Sequence, residues 1–359
     1  MPPPQTRLPT TGEDDDAPSS SFPTGMLMYS LSERRIIVYA DGGGMPEMMA
    51  AEDNACFSTP QGWVLIIGYG EATTEAWLWH PLTGDTVALP PIRGDHDIPI
   101  NCKCLLTHAS AAHPECAVVL LDVADPVMWF CKVNAGGGRM SSWGQHRYDI
   151  GDYGLPEEFR TASTPTKVTI ADVAASRRGK LHFTFASTES AAAGQEKVCI
   201  VDLVFRPEPD HGDDPPTAVL REFDVPKLKF PQGMRSGTVW LVESREELFA
   251  VCVCYVDFDP DDIGAVLVYR MDFSDDDESP VAWRRVCDIG DRAFLLADPN
   301  MATWCSAGAN GLKGNTVCFL RNRKDDDGDL CIYDIQAHNQ RLEIVRTKPY
   351  WINVPPSPC

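Results

Sequence analysis

The sequence predicts an all-β fold, a β-propeller of about six four-stranded blades closed by its N- and C-terminal strands. Three observations support this prediction. The chain repeats itself, because SSWGQHRYDIGD from Ser141 returns as PVAWRRVCDIGD from Pro280. From Met26 onward, short runs rich in Val, Ile, Leu, Cys, Trp and Phe alternate with Gly, Pro, Asp and Asn, which is the pattern of strands and turns. No segment holds an amphipathic helical period over several turns.

The repeat extends on both sides of the two copies. AVVLLDV with VMWFCKV precedes the first copy, and AVCVCYV with AVLVYRM precedes the second. RGKLHFTF with KVCIVDL follows the first, and KGNTVCFL with LCIYDI follows the second. Such self-similarity is typical of a fold that repeats one supersecondary unit. The interval from Trp143 to Trp283 holds about eight strands, so one repeat spans two blades.

The blade number comes from counting strand candidates in chain order. They are MLMYS, RIIVYA, ACFST, GWVLII, AWLW, TVAL, CLLT, VVLLD, MWFCKV, GQHRY, KVTI, LHFTF, VCIVDL, AVLREF, TVWLV, LFAVCVCYV, AVLVYR, WRRV, TVCFL, LCIYD, RLEIVR and YWINV. One or two more lie near Phe294 and Trp304, which brings the count to about twenty-four and hence to six blades. We expect YWINV to pair with MLMYS and RIIVYA, because a propeller must seal its first blade against its last. A pair of two-sheet sandwiches is the alternative.

Three segments divide the chain. Residues 1–24 form an acidic leader rich in Pro and Ser, and we predict disorder there because apolar content is too low to offset chain entropy. Residues 25–355 form the propeller, and 356–359 a short tail. Within the propeller, the acidic stretches PEPDHGDDPP, DFDPDDIG and FSDDDESP are predicted to be solvated loops whose charge discourages edge pairing. Binding loops are the alternative interpretation of these stretches.

Charge and cysteine content restrict partners and compartment. The net charge of −21 repels nucleic-acid backbones and anionic membranes, so we expect neither as a partner. The leader has no signal or transit pattern, so the 13 cysteines are expected to stay reduced in the cytoplasm or nucleus. Cys102 with Cys104, and Cys252 with Cys254, are two residues apart, which on a strand turns both thiols to one face as packing groups rather than metal ligands.

No residue is predicted to ligate a metal or to bind a cofactor. The aspartate clusters fail the EF-hand pattern. With Gly328 aligned as the loop glycine, Asp325 and Asp327 fit but Arg323 stands at the first acidic position. The Asp257, Asp259 and Asp261 series is followed by Asp262 where Gly is required.

Catalytic residues are not predicted either, so the chain is expected not to be an enzyme. There is no G-x-S-x-G elbow and no metal-type histidine spacing, and His80 is predicted to be a turn residue. The glycine runs at 42–44 and 136–138 lead into no helix that would hold a phosphate, and are predicted to be hairpin turns. Core packing between blades is predicted for the tryptophans, with a top-face pocket as the alternative for some: Trp63, Trp77, Trp79, Trp129, Trp143, Trp240, Trp283, Trp304 and Trp351.

Several motifs, in order, resemble one known family. FSTPQGWVLII followed by AWLWHPLTGDTVALPPI, from Phe57 to Ile92, is similar to the strand, N-P-x-T-G turn, strand and L-P-P signature of plant F-box-associated propellers. MLMYSLSERRIIVY, VWLVESREELFAV, AWRRVCDIGDRAFLL and GLKGNTVCFL resemble the KIB-type β-propeller domain. The resemblance covers about residues 25 to 355, and His80 stands where the family turn usually has Asn.

The resemblance implies a function in protein recognition. Members commonly carry an F-box ahead of the propeller and are thought to be substrate receptors of Skp-cullin-F-box ubiquitin ligases. The leader is too short and too polar for an F-box, so a Skp-type adaptor is a doubtful partner. Three hypotheses result: a non-enzymatic protein-binding propeller of unknown binding face, a ligase adaptor that docks by another surface, and a propeller hydrolase. The sialidase Asp-box is absent, and no catalytic residue carries over from the family.

Overall fold

We describe a computed structural model of the chain over these residues: 26–30, 35–39, 54–69, 74–80, 83–92, 98–99, 102–133, 142–152, 167–170, 174–185, 195–204, 217–256, 259–276, 278–297, 301–308, 312–321, 328–337 and 339–345. All of its regular elements in this part of the chain are β-strands. A first antiparallel pair, β1 (Met26–Ser30) with β2 (Arg35–Tyr39), belongs to none of the larger sheets. No helix in the described ranges is long and apolar enough to cross a membrane.

The other strands form five sheets, each built from strands that are consecutive in the chain. Blade 1 holds β3 (Asn54–Ser58), β4 (Val64–Tyr69), β5 (Thr74–Trp79) and β6 (Thr86–Ile92). Blade 2 holds β7 (Cys102–Leu106), β8 (Ala117–Asp122), β9 (Val127–Lys132) and β10 (Gly144–Arg147). Blade 3 holds β11 (Ala174–Arg177), β12 (Lys180–Phe185), β13 (Gln195–Val204) and β14 (Thr217–Pro226).

Blade 4 holds β15 (Met234–Ser244), β16 (Glu247–Val256), β17 (Asp259–Phe273) and β18 (Pro280–Val286). Blade 5 holds β19 (Arg292–Ala297), β20 (Met301–Ser306), β21 (Thr316–Arg321), β22 (Gly328–Asp334) and β23 (Asn339–Val345). Strand β3 contacts β7, β7 contacts β11, β11 contacts β15 and β15 contacts β20. These are therefore the inner strands, and the blades follow one another around the ring in chain order.

The all-β propeller is confirmed, but the prediction of six blades was wrong, because the structure has five. Dividing the strand count by four failed for two reasons. The pair β1 and β2 stands apart from the blades, and blade 5 has five strands, in the order β20-β19-β21-β22-β23. The hard-to-place residues Phe294 and Trp304 are cross-strand partners in the additional hairpin of β19 and β20, and β19 then runs parallel to β21.

The internal repeat has a clear structural basis. Its two copies contain the outer strands of blades 2 and 4 and the turn that follows each, so the repeat spans two blades as predicted. In both turns an aspartate accepts the amide of the glycine two residues on, Gly151 N to Asp149 Oδ1 at 3.1 Å and Gly290 N to Asp288 Oδ1 at 2.7 Å. Both glycines have positive φ, and the isoleucine between is buried in each copy.

The core lies between neighbouring blades. Strand residues alternate, so one side of each sheet packs toward the preceding blade and the other toward the next. Leu106 and Cys104 of β7 pack against blade 1, whereas Leu105 packs against blade 3. Trp79, Trp129, Trp143 and Trp240 are buried, which confirms core packing for these four. Trp63, Trp77, Trp283 and Trp304 are partly exposed, and Trp351 lies outside the described residues.

Local predictions had mixed outcomes. DFDPDDIG was predicted to be a loop, but Asp259 to Gly264 belong to β17, because the hairpin with β16 continues through two irregularities that take up the extra residues. KVTI was predicted to be a strand, but Lys167 forms only an isolated bridge to Asp152, and the Ile170 amide donates to the Tyr148 hydroxyl instead of to a ladder partner. FSDDDESP is the connection between β17 and β18.

Other predictions fall outside the described residues. These are PEPDHGDDPP, YWINV with its expected pairing, both glycine runs, and the structure of the 1–24 leader and the 356–359 tail.

The two cysteine pairs lie as predicted. Cys102 and Cys104 lie on one face of β7, and Cys252 and Cys254 lie on one face of β16, each pair packed in a shared apolar cluster.

Candidate interaction face

One end of the propeller carries a series of links between blades. At this end the inner strand of each blade turns back toward the next strand of its sheet. We call it the inner-turn face. It comprises the turns at Gln61, Thr107, Arg178 and Arg245–Glu246 and the linker at Asp291. Gln61 of blade 1 exchanges two hydrogen bonds with the Leu106 backbone of blade 2, at 3.0 and 3.1 Å. Ser176 Oγ of blade 3 donates to the Thr107 carbonyl of blade 2 at 2.6 Å.

The remaining junctions are linked in the same way. Arg177 Nε of blade 3 donates to the Glu246 carbonyl of blade 4 at 2.6 Å. Arg292 of blade 5 pairs with Glu247 of blade 4, and that carboxylate also pairs with Arg270 at 3.1 Å. Thr303 Oγ1 of blade 5 donates to the Pro60 carbonyl of blade 1 at 2.6 Å. A side chain therefore connects every pair of neighbouring blades.

The backbone is strained at this same end. In the described part of the chain, four residues other than glycine have a positive φ: Arg178 (49°), Arg245 (54°), Glu246 (62°) and Asn315 (61°). Arg178 with Gly179, and Arg245 with Glu246, are the central residues of two-residue turns closed by the pairs Arg177 with Lys180 and Ser244 with Glu247. Such turns favour Asn and Gly, because a side chain at positive φ costs about 1 kcal/mol or more.

Four charged side chains, three of them from the strained turns, form an exposed row across blades 3, 4 and 5. The row consists of Arg178, Arg245, Glu246 and Asp291. Arg178 Nη2 lies 3.0 Å from Glu246 Oε2, and Arg245 Nη2 lies 3.1 Å from Asp291 Oδ1. The Arg245 guanidinium also stands over the Trp304 ring, 5.1 Å from its centroid. Arg178, Arg245, Glu246 and Asp291 keep between 44% and 68% of their side-chain surface exposed, so the row offers both charges to solvent beside a partly exposed indole.

The partly buried carboxylate of Glu243 holds the backbone of the turn that carries Arg245 and Glu246. The Glu243 carboxylate accepts the amide of Glu246 at 2.7 Å. Burial raises the pKa of Glu243 to about 7, although that hydrogen bond and the cations Arg177 and Arg292 act in the opposite direction. The Arg177 guanidinium stacks 3.8 Å from the centroid of the Phe273 ring. The turn at Arg245 is thus anchored to groups of blades 3 and 5.

Two histidines complete the inner-turn face on blade 2. His108 and His113 stack with ring centroids 3.9 Å apart and planes 11° apart. The Glu115 amide donates to His113 Nδ1 at 3.2 Å, and Thr107 Oγ1 lies 3.1 Å from His108 Nδ1. Gly179 packs against His108 so closely that a Cβ there would stand 2.8 Å from His108 Cε1.

Residues singled out in the sequence do not assemble into a catalytic site among the described residues. His80 is a turn residue, as predicted, since its amide donates to the Asp85 carbonyl at 2.8 Å. Thr83 Oγ1 donates to Asp85 Oδ2 at 2.6 Å, so its proton points to a carboxylate rather than to the imidazole 3.2 Å away. Burial raises the pKa of Cys102 to about 12 and that of Cys254 to about 11, which opposes formation of the nucleophilic thiolate.

The described residues contain no group of three or more His, Cys, Asp or Glu side chains able to hold a metal ion. Gly328 lies in β22, whereas Asp325 and Asp327 lie outside the described residues. Sequence reasoning missed Arg178, Arg245 and Glu246, which form the most distinctive feature of the inner-turn face. The available signal was a pair of polar residues between two apolar runs, in ASRRGKLHF and WLVESREELFAV.

Five sheets that follow one another around a ring define a five-bladed β-propeller. This chain belongs to the KIB1-4 beta-propeller family, whose profile matches residues 28–334. The membership confirms the family resemblance seen in the sequence. A search of curated proteins gives no match.

Three solved structures show a weak likeness. A DUF4784 family protein from Bacteroides caccae is 7% identical, with 89% of this chain and 71% of that chain covered and a TM-score of 0.30. The polysaccharide lyase Uly1 is 8% identical, with coverage of 92% and 90% and a TM-score of 0.32. The GH43 β-1,3-galactosidase BT3683 is 12% identical, with coverage of 92% and 97% and a TM-score of 0.30. Likenesses at this level say nothing about the activity of this chain.

Proposed function

We propose that this chain is a non-enzymatic propeller that binds a protein partner through its inner-turn face. The observation that carries the proposal is the concentration of strained, charged residues at one end. Arg178, Arg245 and Glu246 hold a left-handed backbone conformation that Gly or Asn would adopt more easily. Strain of this kind is often kept where a side chain serves recognition rather than stability.

The composition of the row supports the same proposal. Arg and Trp are enriched among the residues that dominate the energy of protein interfaces, and Arg245 and Trp304 are adjacent here. The ion pairs of the row are exposed and contribute little to stability, so they are available to exchange partners. The hydrogen bonds and ion pairs between blades hold the backbone of the row in place. Binding a partner there should therefore cost little conformational entropy.

The test compares partner recovery between variants of the full chain. The double variant Arg178→Glu/Arg245→Glu reverses two charges of the row. The control, Arg284→Glu, makes the same change on the outer strand of blade 4, where Arg284 is 71% exposed and pairs with Asp272 at 2.6 Å. Tagged chains are purified from plant cells and the co-purified proteins quantified, after thermal unfolding has confirmed that both variants fold.

Support for the proposal requires a protein that the wild type and Arg284→Glu recover and the double variant loses by about tenfold or more. That protein, once purified, must bind the wild type directly. Equal recovery of every protein by both variants would refute binding through this face. If the lost proteins are Skp and cullin subunits, the chain acts as a ligase adaptor that docks through this face.

We place this function in the cytoplasm or nucleus. No disulfide joins the 12 described cysteines, which suits a compartment that keeps thiols reduced.

A further inference from the structure

We propose that the stacked pair His108–His113 is a pH-sensitive latch that holds the Arg178 turn of blade 3 in its binding geometry and releases it at acidic pH. The inference rests on the proposed function of the inner-turn face, because it names how that face is regulated. It is carried by two contacts: the parallel stacking of the two imidazoles at 3.9 Å, and the close approach of His108 to Gly179.

The latch lies at the junction between blade 2 and blade 3. His108 and His113 lie on the connection from β7 to β8, which belongs to blade 2, whereas Gly179 lies in the turn from β11 to β12 of blade 3. A Cβ at position 179 would stand 2.8 Å from Cε1 and 3.0 Å from Nε2 of His108, so a larger residue there would displace the ring or the turn. The His108 ring is therefore the surface on which the Arg178–Gly179 turn rests.

The stacked arrangement of the two rings favours one protonation state of His108. His113 Nδ1 accepts the Glu115 amide at 3.2 Å, and a protonated Nδ1 would face that N–H with a second donor. Two parallel imidazolium rings 3.9 Å apart would also repel each other. Burial, and next the neighbouring His113, lower the pKa of His108, whereas Glu115 raises it. The stacked arrangement thus favours the neutral form of His108.

The charged groups nearby do not remove this preference. Glu115 is the acidic group on the connection itself, and Lys132 from the end of β9 pairs with it at 3.4 Å. On the facing turn, Arg178 pairs with Glu246 at 3.0 Å, and Lys180 lies 3.3 Å from Asp202. Glu115, the one of these carboxylates that acts on the His108 pKa, is thus already paired with a cation.

The sign of the pH effect follows from these contacts. A histidine whose pKa is lower in the latched state than in the open state binds fewer protons when latched. The latch is therefore fully favoured above the ordinary histidine pKa of about 6.5 and is lost as the pH falls below it. Opening frees the Arg178 turn from its support, which weakens binding through the row.

The experiment measures amide hydrogen exchange of the full chain at pH 7.5 and 5.5, with rates corrected for the intrinsic effect of pH. We expect protection of the segments 107–116 and 178–183 to be lower at pH 5.5 than at pH 7.5, because protonation of His108 disfavours the stack. His108→Asn/His113→Asn keeps hydrogen-bonding side chains that do not titrate in this range, so it should show equal protection at both values. His80→Gln, in a turn of blade 1, should respond like the wild type.

Wild-type protection that does not change between the two pH values would overturn the latch, and so would a pH response that persists in the double Asn variant. Neither result depends on a partner. Failure of the latch is therefore distinguishable from failure of the proposed function, which is decided by the Arg178→Glu/Arg245→Glu comparison.

Discussion

Thr303 Oγ1 donates to the Pro60 carbonyl at 2.6 Å, across 243 positions of sequence. Thr303 is buried, and this bond connects the last blade of the ring to the first. No strand in the described ranges is shared between blades 5 and 1. This side-chain hydrogen bond therefore joins blades 5 and 1, whereas the expected pairing of YWINV with the N-terminal strands lies outside the described residues.

Removing the Thr303 hydroxyl should weaken the ring. Thr303→Val keeps the shape of the side chain but leaves the Pro60 carbonyl without this donor, which should lower the free energy of unfolding by about 1–3 kcal/mol. Urea unfolding followed by tryptophan fluorescence measures the change. Thr303→Ser retains the hydroxyl and should lose less than half as much. Equal losses in both variants would mean that the methyl group matters and the hydrogen bond does not.

Glycine at position 246 should give a more stable fold than alanine at the same position. Glu246→Gly relieves the side-chain strain at a φ of 62° and keeps the backbone groups that bond Glu243 and Arg177. Glu246→Ala removes the same carboxylate but keeps the strain, so we expect the Gly variant to be more stable by about 0.5–1 kcal/mol. Chemical denaturation of the two variants gives this difference. An Ala variant as stable as the Gly variant would show that the turn is not strained.

Alanine at position 179 should be more harmful than at another glycine with a similar backbone. Gly179 and Gly84 have φ values of 76° and 73°, but a Cβ meets nothing within 4 Å at Gly84. Gly84→Ala therefore measures the backbone cost alone, about 1 kcal/mol. Gly179→Ala should cost about 1–3 kcal/mol more through the clash with His108. Thermal and urea unfolding compare the two, and adding His108→Ala to Gly179→Ala should recover part of the difference.

The Glu243 carboxyl should make stability fall with rising pH. Its pKa is about 7 in the folded protein against 4.5 ordinarily, so the folded state binds more protons than the unfolded state between these values. The free energy of unfolding consequently decreases as the pH rises through this window. Glu243→Gln does not titrate, and we expect it to match the wild type near pH 4.5 and to exceed it by about 1–3 kcal/mol at pH 8.

The readout for Glu243 is the difference between variant and wild type at each pH. Burial lowers the pKa of His182 to about 4, so this histidine stabilises the fold as the pH rises and opposes the trend in each protein separately. The subtraction removes that contribution. A difference that stays constant from pH 4.5 to 8 would contradict a raised pKa at Glu243.

Much of the fold was predictable from short-range pattern. Apolar alternation identified most strands, and the two DIGD copies identified equivalent turns after β10 and β18, because an Asp with Gly two residues on makes a turn whatever blade it follows. Blade number was not predictable in this way. Hydrophobic pattern shows that β19 and β20 are strands, but not that β19 lies parallel to β21 within a blade of five.

The candidate face was less accessible to sequence reasoning. Positive φ is expected of Gly and Asn, so a charged pair such as Arg245–Glu246 carries no turn signature of its own. The links that hold these residues join blades 3, 4 and 5, and they depend on how these blades pack against one another. The stacking of His108 on His113 is local in sequence, but its contact with Gly179 is not.

Each of the five blades is assembled from strands that are consecutive in the chain, and this has a consequence for engineering. The order of blades along the polypeptide and their order around the circle are the same, so no connection between blades is topologically special. A gene rearranged to start at blade 2 and to end with blade 1 would keep every described ladder of hydrogen bonds. The topology of these sheets is thus compatible with opening the circle at any connection between blades.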